Sequence, residues 1–340
     1  MRILVLGGTT FFGADVVRQL LAVGHNVTIF TRGAQRPDFW DRVEHIVGDR
    51  QDYAAFRDRF ASETFDAVID NIAYTGEDVA VALDAFRGRM GRYILTSTGS
   101  VYRYAPPGAP LLEETVNHQL TPPGYDPSDG GWQYAAGKVA AEWTLMQGDA
   151  PWTILRPPIV LGPFDPTLRG YYYFQRLMDG GPLLLSNGGV ASFRLAYSED
   201  LAHAYLLALD TPQAAGHAYN ICQSEIVTLR QMLEVVAEAL NTPLVTAEAP
   251  PKVLASRGLS GGPYSHMVNF VPSIHRAQTE LGYTTTPFRD WLTRTTLWYR
   301  NEYRGTASAE YDRRAEEVAF AEQWWALLKS TQETQEGDDG

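Results

Sequence analysis

Residues 1–24 read MRILVLGGTTFFGADVVRQLLAVG. Residues 2–6 (RILVL) are short, apolar and followed at once by Gly7–Gly8, the pattern of a strand buried in a parallel sheet. Residues 13–23 carry Val16, Val17, Leu20 and Leu21 at helical spacing and end at Gly24, a C-terminal cap. Between the two, Gly7, Thr10 and Gly13 stand where three glycines often stand in a dinucleotide-binding loop. Such a loop turns tightly and lets its backbone approach a pyrophosphate, whose charge rests on the N–H groups that open the helix. Thr10 replaces the middle glycine and brings a hydroxyl able to bond a phosphate. The context, strand before and helix after, gives the pattern its weight.

The alternation continues outward from this stretch. Strands are predicted at 26–30, 43–47, 67–69, 92–98 and 153–156, with helices at 52–61, 77–89 and 134–147 between them. Strand–helix alternation implies a parallel sheet with crossover helices, hence an α/β fold with a Rossmann-type doubly wound sheet. Further helices are expected at 199–209, 228–240, 288–303 and 308–329, with a strand at 218–222. The Rossmann domain is placed at 1–163, with 190–224 returning to it. A smaller, mostly C-terminal α/β substrate-binding part takes 164–189 and 225–330, and the polar, acidic residues 331–340 are read as a disordered tail. Residues 103–131 are rich in Pro and Gly and too long for an ordinary connection, so they are read as a substrate-facing lid. The aromatics at 171–174 (YYYF) suit interface core better than a pocket, and the 308–329 helix suits either the protein body or the partner subunit of a homodimer.

Bulk properties narrow the function. The chain has 340 residues, 45% hydrophobic and 20% charged, enough for a large core. Its single cysteine, Cys222, excludes an intrachain disulfide and a zinc site built on several thiolates. Seven histidines show no H-E-x-x-H or similar spacing, so no metal is expected. No G-x-S-x-G elbow is present. A formal net charge of −12 argues against nucleic acid as the main partner and for a small-molecule substrate. No run of about 18 apolar residues predicts a membrane span, and no charged leader precedes the first strand, so a cytoplasmic location is expected.

Two features carry chemistry. At the end of the second strand, where an NAD-preferring fold often places Asp or Glu, the chain has Thr31–Arg32. Arg32 can pair with a 2′-phosphate through two parallel hydrogen bonds, which favours NADP(H) over NAD(H). Asp49 closes the next strand and suits either an adenine contact or the N-cap of the 52–61 helix. Tyr134 and Lys138 stand four apart on a predicted helix and share a face. A free tyrosine titrates near about 10, and a nearby ammonium lowers that towards the working range. Lysine stands only at Lys138, Lys252 and Lys329, so chance rarely produces such a pair. Thr98, with Thr96 nearby, is the candidate hydroxyl that holds the substrate oxygen.

These residues together resemble the extended short-chain dehydrogenase/reductase superfamily and its NAD(P)-dependent epimerase/dehydratase branch, over about residues 1–300. The carriers are LGGTTFFG at 6–13, TSTGSVY at 96–102, YAAGK at 134–138, ILRPPIVLGP at 154–163, YSEDLAHAY at 197–205, YNI at 219–221 and ELGYTTTPF at 280–288. The resemblance implies a catalytic set of Thr98, Tyr134 and Lys138. It implies cofactor contacts from Gly7, Thr9, Thr10, Phe11, Phe12, Gly13, Arg32, Asp49, Arg50, Ile72, Ala73, Thr96, Tyr134, Lys138, Pro157 and Ile159. Ile159 replaces the Asn of the R-P-x-N step, and Arg194 lies one residue from the usual phosphate-binding position, which weakens the expectation of a nucleotide-diphosphate sugar. The GGTxFFG and TRG turns are similar to the atypical branch that includes chloroplast stem-loop RNA-binding proteins. The expected activity is hydride transfer at a hydroxyl or carbonyl carbon of a sugar-like or other small polar substrate, as a reductase, epimerase or dehydratase. The alternative is a nucleotide-binding sensor or RNA-associated protein on the same fold, and the intact Tyr134–Lys138 pair counts against it.

Overall fold

A computed structural model describes residues 1–106, 108–265 and 269–338, the last seven of these by backbone alone. The chain divides into two compact units, one of residues 1–164, 195–224 and 272–286, the other of residues 165–194, 225–271 and 287–340. Residues 272–286, assigned from sequence to the second part, belong to the first unit.

The first unit is built on strands β1 (Arg2–Leu6), β2 (Asn26–Thr31), β3 (Glu44–Val47), β4 (Phe65–Asp70), β5 (Met90–Thr96) and β6 (Trp152–Arg156). Two short strands, β7 (Val160–Leu161) and β10 (Ala196–Tyr197), pair with each other, and β11 (His217–Asn220) returns to the main sheet. The seven strands run in the order β11-β6-β5-β4-β1-β2-β3, all parallel. The order reverses beside β1, which is where a doubly wound sheet opens a crevice at its strand C-termini. Alternate residues of β1 serve opposite faces: Ile3 and Val5 join a core with α1 (Phe11–Ala22) and α6 (Ser198–Asp210). Leu4 and Leu6 join a second core with α2 (Tyr53–Phe60), α3 (Gly76–Ala85) and α4 (Gly130–Met146). The expected α/β, Rossmann-type parallel sheet is thus the observed one.

In the second unit, β8 (Leu183–Ser186) pairs in parallel with β13 (Thr246–Ala249), and β9 (Ser192–Phe193) antiparallel with β12 (Val227–Thr228). Its helices are α5 (Arg169–Met178), α7 (Leu229–Leu240), α8 (Pro251–Ser256), α10 (Phe288–Asn301) and α11 (Arg314–Asp338), while α9 (His275–Glu280) lies in the first unit. Tyr172, Tyr173 and Phe174 are buried, so most of the aromatic run is core. Arg176 forms a buried two-pronged pair with Glu317, at 2.8 and 2.6 Å, that ties α5 to α11. The disordered tail expected at 331–340 is not observed over its described part: α11 runs to Asp338. The Gln- and Glu-rich sequence there is compatible with helix.

Two local differences concern the approach to the site. The helix expected over 134–147 begins earlier, at Gly130, because Asp129 caps it by accepting the Trp132 N–H at 2.8 Å. The segment 103–131 is not a lid along its whole length. Its residues 111–118 are fastened by a buried polar network. Glu142, wholly buried on α4, accepts from Arg156 Nε at 2.9 Å and Nη2 at 2.6 Å, pairs with His118 Nε2 at 2.7 Å and accepts from Ser97 Oγ. Arg156 also donates to the Glu113 carbonyl at 2.7 Å, and Glu113 Oε1 accepts the Asn220 N–H at 2.9 Å. Residues 123–130 are exposed.

Burial alone pushes the Glu142 carboxyl up, but Arg156 and His118 outweigh it and hold it at about 2. A depressed carboxyl stabilises the fold above its ordinary range near about 4.3 and loses that contribution as pH falls. Acid unfolding of the wild type should therefore draw on Glu142 between about pH 4 and about pH 2. Glu142→Gln, which leaves Arg156 buried without its counter-charge, should cost about 3–5 kcal/mol at pH 7. Urea unfolding at pH 7 and pH 3 measures both, and equal loss at the two pH values would contradict this account.

Candidate active site

The glycine loop comes first. Gly7 has φ +75°, and a Cβ there would sit 2.5 Å from Ile72 Cγ2. A Cβ on Gly13 would meet the Gly7 carbonyl at 3.1 Å. Gly7 is required by its left-handed φ and by the Ile72 side chain, and Gly13 by the close approach of the Gly7 backbone, as a phosphate-cradling turn demands. The Gly7 N–H donates to the Phe30 carbonyl at 3.0 Å, and Asn71 Nδ2 donates to the Gly7 carbonyl at 2.8 Å. Phe11 is left-handed at φ 49°, a strained conformation for an aromatic residue. Thr10 is the N-cap residue of α1, yet no side chain caps the helix and its first turn holds no acid. Among the described residues no side chain caps the N–H groups that open the helix, and Thr9, Thr10, Phe11 and Phe12 form that turn. An anionic pyrophosphate fits it.

At the end of β2, Thr31 Oγ1 accepts the Gly33 N–H at 3.2 Å and bonds His45 Nε2 at 2.8 Å, which fixes the turn that carries Arg32. Arg32 is exposed and makes no hydrogen bond or ion pair among the described residues. Asp49 is exposed and accepts the Gln51 N–H at 2.9 Å. The α2 N-cap is Asp52, which accepts the Ala55 N–H at 3.0 Å, so Asp49 is not the cap. The side chain of Arg50 departs from expectation more strongly. It is 4% exposed and pairs with Asp70 at 2.9 Å, so it serves the interior and only its backbone remains for a cofactor. Burial opposes its charge, but Asp70 and Asp78 outweigh that and hold it firmly protonated.

The strand ends then meet α4. Lys138 is 2% exposed and donates to the carbonyls of Ala73, at 2.7 Å, and Thr96, at 2.8 Å. Burial lowers its pKa to about 8, against the opposing pull of Asp70, Glu142 and Asp78. Tyr134, one helical turn earlier on the same face, is 40% exposed. Thr96 is taken up structurally: its hydroxyl donates to Asn71 Oδ1 at 2.6 Å and bonds the Tyr205 hydroxyl. Thr98 accepts the Ser100 N–H at 3.2 Å and reaches Ser100 Oγ only at 3.4 Å, so its own proton is weakly held. The Pro157 carbonyl accepts the Gly99 N–H at 2.7 Å, and the Ile159 carbonyl accepts from Ala196 at 2.9 Å, which sets the turn after β6 beside the Thr98 segment. The structure thus brings Ala73, Thr96 and Lys138 into direct contact, with Ile72 against the glycine loop.

Asn71, Asp70, Asp78 and Tyr74 are not in the sequence-derived set. Asp78 Oδ2 accepts the N–H groups of Tyr74, at 2.8 Å, and Thr75, at 2.9 Å, and so shapes the loop that presents the Ala73 carbonyl. The signal is readable: Thr75 and Asp78 form a capping box at the start of α3.

The family described as "NAD dependent epimerase/dehydratase family" matches residues 3–222. This chain belongs to that family. It is 30% identical over 255 residues to the chloroplast stem-loop binding protein of 41 kDa b of Arabidopsis thaliana, covering 71% of this chain and 64% of that protein. It is 27% identical over 266 residues to 2'-dehydrokanamycin reductase of Streptomyces kanamyceticus, covering 76% of this chain and 72% of that one. The fold is shared with the UDP-glucuronic acid 4-epimerase of Bacillus cereus in complex with NAD, at TM-score 0.69 and 18% identity over 89% of this chain and 100% of that one. The protein is an NAD(P)-dependent enzyme of the epimerase/dehydratase or reductase class. Among the described residues no group of His, Cys, Asp and Glu is placed to hold a metal, and no helix is long and apolar enough to cross a membrane.

Gly137, inside YAAGK, sets the height of α4 over the site. A Cβ there would sit 2.4 Å from the Tyr74 carbonyl oxygen, a backbone atom that cannot swing aside. Gly137→Ala should therefore destabilise this epimerase/dehydratase-family enzyme by about 1–3 kcal/mol in urea unfolding. Gly130→Ala, where nothing lies within 4 Å, should leave stability unchanged or slightly higher. Equal effects from the two substitutions would contradict the packing argument.

Proposed function

We propose that this enzyme uses Tyr134 as the acid/base of a hydride-transfer reaction at a hydroxyl or carbonyl carbon of a small polar, sugar-like substrate. The observation that carries the reading is a buried ammonium, Lys138, held by two strand-end carbonyls one helical turn from a half-exposed tyrosine. An ammonium has three donors. Two of Lys138's meet Ala73 and Thr96, which leaves one for a ribose hydroxyl of the nucleotide. The nicotinamide, when bound, supplies or accepts the hydride. Tyr134 moves the proton at the substrate oxygen, Lys138 favours its phenolate form, and the loosely bonded Thr98 hydroxyl holds that oxygen in place. Gly7, Gly13 and the opening turn of α1 hold the pyrophosphate.

Arg32 favours NADP(H). It stands exposed at the end of β2, with no carboxylate at that position to repel a 2′-phosphate. The acidic balance of the chain, −12, favours a small-molecule substrate over a nucleic acid, although one relative is named for stem-loop binding. Substrate selection is assigned to the second unit, following the division of labour read from sequence.

Fluorescence titration with NADPH and NADH tests the cofactor reading. Wild type should bind NADPH more tightly. Arg32→Ala should lose roughly 10–100-fold in NADPH affinity, as one charge-assisted pair is removed, and leave NADH unaffected. Tighter NADH binding by the wild type would refute the role given to Arg32. For the chemistry, Tyr134→Phe should lower kcat by about 10²–10⁴ on small ketones and sugar nucleotides while nucleotide affinity is kept. Retained turnover would remove Tyr134 as the proton carrier.

A further inference from the structure

Tyr74 follows Ala73 in the loop between β4 and α3 and is held by its backbone on two sides. Its N–H donates to Asp78 Oδ2 at 2.8 Å, and its carbonyl lies against Gly137. The side chain has no part in that anchoring, and the residue is 51% exposed. The ring centroid lies 4.8 Å from Lys138 Nζ and 6.4 Å from the ring centroid of Tyr134, with the two rings tilted by 52°. An exposed aromatic so placed, on a backbone that does not need it, touches both members of the proposed proton-handling pair.

We propose that Tyr74 is a positioning residue for Tyr134 and Lys138: its ring face covers the Lys138 ammonium and favours the charged form, while the ring flanks Tyr134. The inference rests on reading Tyr134 and Lys138 as the proton-handling pair. The physical basis is the negative face of the aromatic quadrupole, which attracts a cation within about 6 Å. Lys138 is otherwise faced by Asp70 from β4, Asp78 from α3 and Glu142 one turn on along α4, which favour its charge. Burial and Arg50 oppose it, and the balance leaves it titrating at about 8. A group poised there responds to one added attraction. A ring supplies that attraction without a formal negative charge. A carboxylate at position 74 would hold the ammonium too, but it would also repel the phosphates of an incoming nucleotide.

The sign of one shift separates this role from mere cover. A ring that only shields Lys138 from water lowers its pKa, and removing the ring would raise it. A ring that attracts the ammonium raises the pKa, and removing it would lower it. Only three lysines occur, Lys138, Lys252 and Lys329, so a protein carrying ¹³C in its lysine side chains gives three resolvable titrations by NMR. The Lys138 signal is the one missing from Lys138→Arg. In the nucleotide-free wild type and in Tyr74→Phe, which keeps the ring, Lys138 should titrate at about 8. In Tyr74→Leu it should fall by roughly half to one and a half pKa units. Tyr74→Met is a second ring-free variant with the same expectation. Titration of the ring-free variants at or above the wild-type value overturns the proposal, and so does a Phe variant that behaves like Leu. The measurement contains neither substrate nor nucleotide, so its outcome is separate from the turnover of Tyr134→Phe, which tests the underlying pair.

Discussion

An ammonium with almost no access to water must be met by oxygen, and at Lys138 that oxygen comes from the ends of two neighbouring strands. The Ala73 carbonyl follows β4 and the Thr96 carbonyl ends β5. Both would otherwise be backbone acceptors left at a strand end, and such groups are costly to bury without a partner. The bonds therefore serve both sides: the lysine is satisfied, and two strand termini and α4 are fixed at one point. Tyr134 inherits its position from this, since it is carried on the same helix one turn away. The loop after β4 inherits its shape as well, through Asp78, which binds the Tyr74 and Thr75 N–H groups.

The surrounding charges make such a burial tolerable. Asp70, Asp78 and Glu142 each favour the lysine's charged form, and each is itself engaged: Asp70 and Asp78 by Arg50, Glu142 by Arg156 and His118. The result is a buried set of alternating charges beneath the site. Such sets are weak evidence for net stability, but breaking one member strands its partner in a medium of low polarity. Here the same set also fastens residues 111–118 against the sheet, through the Glu113 carbonyl and His118. The long Pro- and Gly-rich segment is therefore anchored in its first half and exposed in residues 123–130.

Much of this was legible in the sequence, and the reasons differ by residue. The first strand, glycine loop and helix were readable because the period changes sharply at Gly7 and the loop's glycines have a steric reason that the structure repeats at Gly7 and Gly13. Tyr134 and Lys138 were readable because their spacing is helical and lysine is scarce. The partners of Lys138 were not, because backbone carbonyls leave no mark in a sequence. Arg50 stands among the expected contacts through the family resemblance alone, and the pairing of its side chain with Asp70 and Asp78, 20 and 28 positions away, leaves no local signature. Asp49 suits either an adenine contact or the cap by type alone, and Asp52, three residues on, is the cap. Fold came through the pattern of apolar residues; the polar interior depended on tertiary neighbours that no local pattern encodes.

On the proposed reading, one dinucleotide spans from the opening turn of α1 to the Lys138 ammonium. A crystal structure of the protein soaked with NADP⁺ tests it most directly. The account predicts pyrophosphate density against the backbone N–H groups that open α1, and a nicotinamide ribose hydroxyl on Lys138 Nζ, with the lysine still bonded to the Ala73 and Thr96 carbonyls. Nucleotide bound elsewhere, or a Lys138 that leaves those carbonyls to reach it, would contradict the account.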